Sequence, residues 1–208
     1  SEEYQRSQLA EFGNIEQLLQ SPSTNWKELS VRRFAISLPD DSAPDAWKKA
    51  YLKANIEDLL SKFNENPDFH TLYRTLELCG PFLSDVEHTV IPTNNIKSEY
   101  YYLTQLISKL QNLERFSLRK GETSLSEKGS KALCKGLKTN ASLKTLDLRF
   151  TNFSNDAFRA LVEGLLSSKN MENLILEGNP LHEQGSSCIG QVIKSTTCKL
   201  KELRIDSC

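Results

Sequence analysis

A short apolar pattern recurs at nearly constant spacing through the carboxyl-terminal half of the chain. It begins at Leu113, Leu143, Met171 and Leu200, at separations of 30, 28 and 29 residues, and each copy has further apolar residues three and five positions later. Five more columns keep a spacing of 28: Leu125, Phe153 and Leu181; Gly129, Ala157 and Gly185; Ala132, Ala160 and Cys188; Leu133, Leu161 and Ile189; Leu137, Leu165 and Ile193. Because several columns keep step, the pattern indicates an internal repeat.

Each repeat has the residues of one short strand, one turn and one helix. The alternating apolar residues at the start would face one side of a strand. A polar turn follows, with Thr123, Thr151, Asn179 or Cys208 at a position where a small side chain could bond to open backbone groups. Later apolar residues share one helical face. Since neither element buries its apolar side alone, the repeats are expected to stack.

The units that begin at Leu143 and Met171 resemble the ribonuclease-inhibitor-like class of leucine-rich repeats, whose repeats are about 28–29 residues long. Cys188 and Cys208 match places where that class often has cysteine. The resemblance covers residues 113–208. It implies an α/β leucine-rich-repeat solenoid, with a curved parallel sheet on the concave side and helices on the convex side.

The amino-terminal half fits this frame less well, and two interpretations remain open. Residues 1–112 form either divergent repeats with insertions or a helical cap, while residues 113–208 form the regular repeats. As divergent repeats, Trp26-x-x-Leu29-x-Val31 and Tyr73-x-x-Leu76-x-Leu78 predict two further strands. The rival interpretation is a separate helical cap that ends near residue 68. Cys208 directly follows a predicted strand, which predicts that the native protein is longer.

Three amphipathic segments in this half predict helices, at residues 4–19, 42–63 and 96–110. The first would cover the open end of the repeats. The polar stretch from Ser84 to Asn95 is predicted to be a flexible loop.

Charge and cysteine content exclude several classes of function. The 26 basic and 27 acidic side chains nearly cancel, which argues against non-specific nucleic-acid binding. No apolar run approaches the roughly 20 residues that span a bilayer, so no membrane partner is expected. The five cysteines are widely and irregularly spaced, as expected of reduced thiols in a cytoplasmic compartment. No metal-ligand spacing of cysteine or histidine occurs, and no cofactor is predicted.

The sequence gives no support for catalysis. It has none of the common phosphate-binding, dinucleotide-binding, zinc-protease or hydrolase motifs. Cys79 is placed at an outward strand position near His70, but it has no basic neighbour that would lower its pKa. The chain is therefore predicted not to be an enzyme and to have no small-molecule substrate.

In the implied solenoid, the strand residues between the buried leucines line the concave face. They are Glu28, Ser30 and Arg32; Thr75, Glu77 and Cys79; Arg115, Ser117 and Arg119; Thr145, Asp147 and Arg149; Asn173, Ile175 and Glu177; Glu202, Arg204 and Asp206. The third column changes from basic to acidic along the chain, and Ile175 is predicted to be an exposed apolar residue. The candidate partner-binding residues are Arg115, Arg119, Asp147, Arg149, Ile175, Glu177, Arg204 and Asp206. The simpler alternative for each residue is a solvated strand position.

The leading functional hypothesis is an intracellular module that binds another protein, as a scaffold, adaptor or sensor domain, because arginine and aliphatic side chains are common at protein interfaces. Its variants include a bacterial effector domain acting on host proteins in the host cytosol. A second hypothesis is a GTPase-activating leucine-rich-repeat protein, although the acidic tail of that branch is absent from this sequence. A third is phosphate or RNA binding through the arginines.

Overall fold

The structure is a computed structural model that describes residues 15–39, 41–62, 69–88, 106–118, 125–181, 183–196 and 198–206. Its amino-terminal part is helical: α1 (Ile15–Gln20), α2 (Trp26–Phe34), α3 (Pro44–Lys62), α4 (Phe69–Cys79) and a short 3-10 helix (Gly80–Phe82). Strands and helices follow: β1 (Asp85–His88), β2 (Arg115–Leu118), α5 (Glu127–Thr139), β3 (Thr145–Asp147), α6 (Asn155–Ser167), β4 (Asn173–Ile175), α7 (Glu183–Lys194) and β5 (Glu202–Arg204). Residues 106–109 are also helical.

The five strands form one parallel sheet in chain order, from β1 to β5. The register pairs equivalent repeat positions, so that Leu146 of β3 lies between Phe116 of β2 and Leu174 of β4. Beyond the strand ends, the amide of Leu148 donates to the carbonyl of Ile175 at 2.8 Å. The predicted side-by-side arrangement of the strands near residues 145, 173 and 202 is confirmed.

One shared core joins the strands to the helices. The alternate strand residues predicted to point inward, such as Leu146 and Leu174, have no solvent exposure. Leu133 of α5 and Leu161 of α6 belong to the same buried cluster. Each fully buried leucine stabilises the fold by about 2 kcal/mol relative to an exposed one, and the cluster continues from one repeat to the next. The predicted α/β arrangement with a parallel sheet is therefore confirmed.

In the turns after β3 and β4, Thr151 and Asn179 form the hydrogen bonds to backbone groups that the sequence predicts. Asn179 is fully buried, and its side-chain amide donates to the carbonyls of Leu176 at 2.7 Å and of Leu148, one repeat earlier, at 2.8 Å. Its side-chain oxygen accepts the amide of Asn152 at 2.7 Å. Thr151 donates to the same Leu148 carbonyl at 2.7 Å. The other two predicted turn positions, at residues 123 and 208, lie outside the described residues.

The two strands predicted in the amino-terminal half are wrong, because both segments are helices. Residues 73, 76 and 78 have apolar spacing that suits a strand, but Leu72, Leu76 and Cys79 have the spacing of a helical face and are the residues that are buried. In α2, the side chain of Asn25 accepts the amide of Glu28 at 3.1 Å and so stabilises the start of a helix.

The first strand lies instead within the segment predicted to be a flexible loop. Residues 85–88 form β1, so the loop prediction is wrong there, while residues 89–95 lie outside the described residues. Val86 pairs with Phe116, and Leu83 stands 30 residues before Leu113. The repeat pattern was not recognised at this strand because His88 occupies the position of its third apolar residue.

The helix predictions are confirmed where the structure describes them. The expected helix at 42–63 corresponds to α3, and the end of the one expected at 4–19 corresponds to α1. Residues 106–109 belong to the one expected at 96–110, and Leu106 and Ile107 are fully buried. Residues 4–14 and 96–105 lie outside the described residues.

Helix α3 covers the outer edge of β1. The carboxylate of Glu57 accepts the backbone amide of Glu87 at 3.1 Å, and the ammonium group of Lys53 bonds to the carboxylate of Asp85. Burial raises the pKa of Glu57 above its usual value, although the hydrogen bond from Glu87 acts in the opposite direction. A backbone group that an edge strand would leave open is thereby satisfied.

Helices α5 and α6 lie close together at Gly164. A β-carbon added at Gly164 would lie 2.6 Å from the α-carbon of Cys134, which leaves no room for a side chain. At Gly190 in α7, an added β-carbon would meet nothing within 4 Å. The two positions therefore make a matched pair for testing the contact between the helices.

We expect Gly164→Ala to lower the free energy of unfolding by about 1–3 kcal/mol, because overpacking forces the helices apart. Gly190→Ala should raise it by about 0.5–1 kcal/mol, since alanine favours a helix more than glycine does. Urea denaturation followed by circular dichroism measures both. Equal stabilities of the two variants would contradict the close approach of α5 and α6.

Candidate functional site

The residues that alternate with the buried strand residues form what we call the polar face of the sheet. With the turn residues that follow the strands, it comprises Asp85, Glu87, Arg115, Ser117, Thr145, Asp147, Arg149, Asn173, Ile175, Glu177, Glu202, Arg204 and Asp206. The parallel register places Asp147 beside Ser117 on one side and Ile175 on the other. Every predicted binding residue except Arg119, which lies outside the described residues, belongs to this face.

The carboxylate of Asp147 is the centre of the polar face. It is fully buried, and Arg149 binds both of its oxygens, through Nε at 2.9 Å and Nη2 at 2.8 Å. Arg115 reaches the same group from the neighbouring strand, at 3.4 Å. Such two-point contacts fix the orientation of a guanidinium group. Asp147 therefore positions arginines, and its burial leaves it no surface of its own for a partner.

The protonation of this cluster follows from the same contacts. Burial alone would raise the pKa of Asp147, but the hydrogen bonds from the side chain and backbone of Arg149 hold it below the usual value. The hydrogen bond to Asp147 also raises the pKa of Arg149. Both groups are charged at neutral pH, so the pair remains an ion pair.

Further ion pairs extend across the face. The guanidinium of Arg149 lies 3.9 Å from the carboxylate of Glu177 on the next repeat. Arg204 bonds to Glu202 at 2.6 Å, and this hydrogen bond raises the pKa of Arg204. About half of the Arg115 and Arg204 side chains stays exposed, at 50% and 52%. Each arginine is thus held by a carboxylate, and those of β2 and β5 still present much of their surface.

Several predicted positions are corrected. Ile175 is only 7% exposed, so the prediction of an exposed apolar residue is wrong. It lies between Asp147 and Arg204 in the register, and side chains on both adjacent strands can cover a central position. Its part in binding stays a prediction.

The six residues assigned to the two amino-terminal strands are not on the sheet. Glu28, Ser30 and Arg32 lie in α2, and Thr75, Glu77 and Cys79 lie in α4. Cys79 is buried rather than outward, and burial raises the pKa of its thiol to about 12, so that the thiol stays protonated. Of the column that was predicted to change from basic to acidic, only Arg149, Glu177 and Asp206 lie on the sheet among the described residues.

Three residues of this region were missed by sequence reasoning. Asp85 and Glu87 belong to the polar face but were assigned to a loop, because β1 lacks a third apolar residue. Phe150, in the turn directly after Arg149, is 64% exposed. Its one signal in the sequence is that it occupies the repeat column of Gly178.

Among the described residues, no three side chains of histidine, cysteine, aspartate or glutamate are grouped so that they could hold a metal ion. No described helix is both long enough and apolar enough to cross a membrane.

The lowered pKa of Asp147 predicts a pH-dependent contribution to stability. A carboxyl group whose pKa is lower in the folded state than in the unfolded state stabilises the fold at pH values above the unfolded-state pKa, which is about 3.9. That contribution is lost as the pH falls through the folded value. Asp147→Asn should lower the free energy of unfolding by about 2 kcal/mol at pH 7. This difference from the unsubstituted chain should become smaller below about pH 4.

Urea denaturation at pH 7 and at pH 3 measures this difference. Asp41→Asn is the control, because Asp41 is exposed and remote in sequence from the cluster, and it should change stability by less than about 0.5 kcal/mol at either pH. A destabilisation by Asp147→Asn that is as large at pH 3 as at pH 7 would exclude the charge as its cause.

Comparison with known proteins gives relatives but no family model, since no protein-family model matches the chain. NACHT, LRR and PYD domains-containing protein 13 from Homo sapiens is 35% identical over 101 residues, which are 49% of this chain and 10% of that protein. Ribonuclease inhibitor from Mus musculus is 27% identical over 205 residues, which are 91% of this chain and 43% of that protein. NACHT, LRR and PYD domains-containing protein 5 from Mus musculus is 27% identical over 158 residues, 76% of this chain and 12% of that protein.

The chain spans less than half the length of each of these relatives. The match to ribonuclease inhibitor includes most of the chain and is not confined to the regular repeats. The chain is thus a homologue of ribonuclease inhibitor and of the NACHT, LRR and PYD domains-containing proteins, which confirms the predicted resemblance to ribonuclease-inhibitor-like leucine-rich repeats.

Proposed function

We propose that the chain is a non-catalytic module that binds a protein partner on the polar face. The observation that carries the proposal is the cluster around Asp147, where one buried carboxylate holds arginines from two neighbouring strands. Arginines with fixed orientation lose little side-chain entropy on binding, and arginine is common at the energetic centres of protein interfaces. The homology to leucine-rich-repeat proteins supports the same role.

We infer that the repeats form a solenoid whose concave side is the polar face. Neighbouring strands in a sheet are about 4.8 Å apart, whereas a helix with its side chains is about 10 Å wide. When one strand and one helix alternate, the helical layer needs more length than the strand layer. The sheet must then bend with its strands on the inside, which would place the polar face on a concave surface.

The charge of the polar face favours a partner with basic residues. Its described part contains six acidic residues and three arginines, and Lys53 of α3 pairs with one of the acidic residues, Asp85, so the net charge remains negative. The remaining acidic charge would attract a basic surface and raise the rate of association. We also infer a reducing, cytoplasmic compartment, which the four described free cysteines support.

Removal of the two half-exposed arginines from the polar face tests the proposal. Arg115→Gln with Arg204→Gln removes two guanidinium groups, adds no carboxylate beside Asp147 and leaves Arg149 in place. The control is Lys135→Gln with Lys138→Gln on the exposed side of α5, which makes the same change in net charge. In quantitative affinity purification from cells, we expect at least tenfold lower recovery of specific partners with the first variant, about 1.4 kcal/mol, and unchanged recovery with the second.

Circular dichroism must show that both variants are folded. Recovery that is the same for the polar-face variant and the unsubstituted chain, or that falls equally in both variants, would reject the polar face as the binding surface.

A ribonuclease is a second candidate for the partner. The relative that matches 91% of this chain is named a ribonuclease inhibitor, and the acidic excess of the polar face suits a basic enzyme such as pancreatic ribonuclease. Inhibition of that enzyme by the purified chain, weakened by added salt, would support this candidate. Full ribonuclease activity at micromolar concentrations of the chain would reject it. No observation favours the GTPase-activating, bacterial-effector or RNA-binding hypotheses.

A further inference from the structure

Phe150 is a large apolar side chain on the surface, beside the polar face. It lies in the turn that follows β3, directly after Arg149, and the residue is 64% exposed. Its amide donates to the carbonyl of Glu177 at 3.0 Å, which fixes the turn against the next repeat. The exposed ring therefore has a defined place at the carboxyl ends of the strands.

The backbone at this residue is in a conformation that disfavours phenylalanine. Phe150 has φ = 56°, in the left-handed region, where a β-carbon crowds the following carbonyl oxygen. The same repeat column holds Gly178 with φ = 69°, and glycine adopts this conformation without steric cost. Phenylalanine at this place therefore lowers stability relative to glycine, and the requirements of the turn do not explain it.

The ring of Phe150 is held in place by that glycine. A β-carbon added at Gly178 would lie 2.2 Å from one ring carbon and 2.3 Å from another, so the ring packs directly against the backbone there. A strained residue in a fixed, exposed position is typical of functional sites. A ring that is ordered before binding also loses little entropy when a partner covers it.

The surroundings of the ring are acidic. Glu177 lies in the same turn of the next repeat, and the backbone hydrogen bond from Gly178 to Asp206, at 3.0 Å, places a second acidic residue beside Gly178. Arg149 lies 3.9 Å from Glu177, but the buried carboxylate of Asp147 binds it more closely, at 2.8 Å. An apolar ring near two acidic residues suits an apolar side chain that is itself flanked by lysine or arginine.

We propose that Phe150 is an anchor for a protein segment in which an apolar residue adjoins basic residues. This inference rests on the proposed protein-binding function and specifies where and how the partner is held. The ring would cover the apolar side chain, while Glu177 and Asp206 would attract the flanking basic groups. Exposed aromatic residues at the centre of such contacts commonly supply much of the binding energy.

Phe150→Gly separates binding from folding, because it removes the ring and also relieves the backbone strain. We expect this variant to have a melting temperature equal to or above that of the unsubstituted chain. Phe150→Asn is a second variant, since asparagine also tolerates the left-handed region. Neither substitution leaves a buried cavity, because the ring of Phe150 is mostly exposed.

The binding probe is a displayed library of random twelve-residue peptides, selected on the unsubstituted chain. We expect the enriched peptides to contain an apolar residue next to lysine or arginine, and to bind both Phe150 variants at least tenfold more weakly. Enriched peptides that bind the variants equally well, peptides of acidic composition, or no enrichment at all would overturn the anchor.

A further comparison separates failure of the Phe150 anchor from failure of the proposed binding function. Peptides that tolerate Phe150→Gly but are lost with Arg115→Gln and Arg204→Gln would keep the polar face as a binding surface and reject the anchor. Sedimentation of the chain alone tests the other occupant, a second copy. Concentration-dependent dimers that disappear in Phe150→Gly would reject the partner segment in favour of self-association.

Discussion

Hydrogen bonding between successive repeats is the interaction on which the rest of the structure depends. Strands β3, β4 and β5 have three residues each, which is too short for any of them to persist without a neighbour. Asn179 shows the dependence within one side chain, because it bonds to carbonyls of its own repeat and of the preceding one. Stability therefore belongs to pairs of adjacent repeats, as in other repeat proteins.

The polar face uses this regular framework to hold charge in fixed places. Asp147 is buried where the sheet register sets it beside Ser117 and Ile175, and Arg149 must bend back to reach it. A buried carboxylate without its arginines would be costly, so the ion pair and the register support each other. This rigidity favours binding, because groups that are already ordered bind with a smaller entropic loss.

The sequence predicted the regular repeats well because their apolar columns keep a constant spacing, and β2 to β5 lie where those columns place them. It failed at residues 73–78, where spacings of three and five also fit a helix whose true buried face is Leu72, Leu76 and Cys79. It missed β1 because His88 breaks the apolar pattern. The burial of Ile175 depends on side chains from two other strands, which local sequence does not contain.

The contact of α3 with β1 makes the sheet asymmetric. Glu57 occupies the amide of Glu87, and Lys53 is bound to Asp85, so helical side chains already hold this edge of the strand. An incoming extended peptide would have to displace a carboxylate and an ammonium group before it could add to β1. This border of the sheet is thereby protected against strand exchange and against the edge-to-edge association that leads to aggregation.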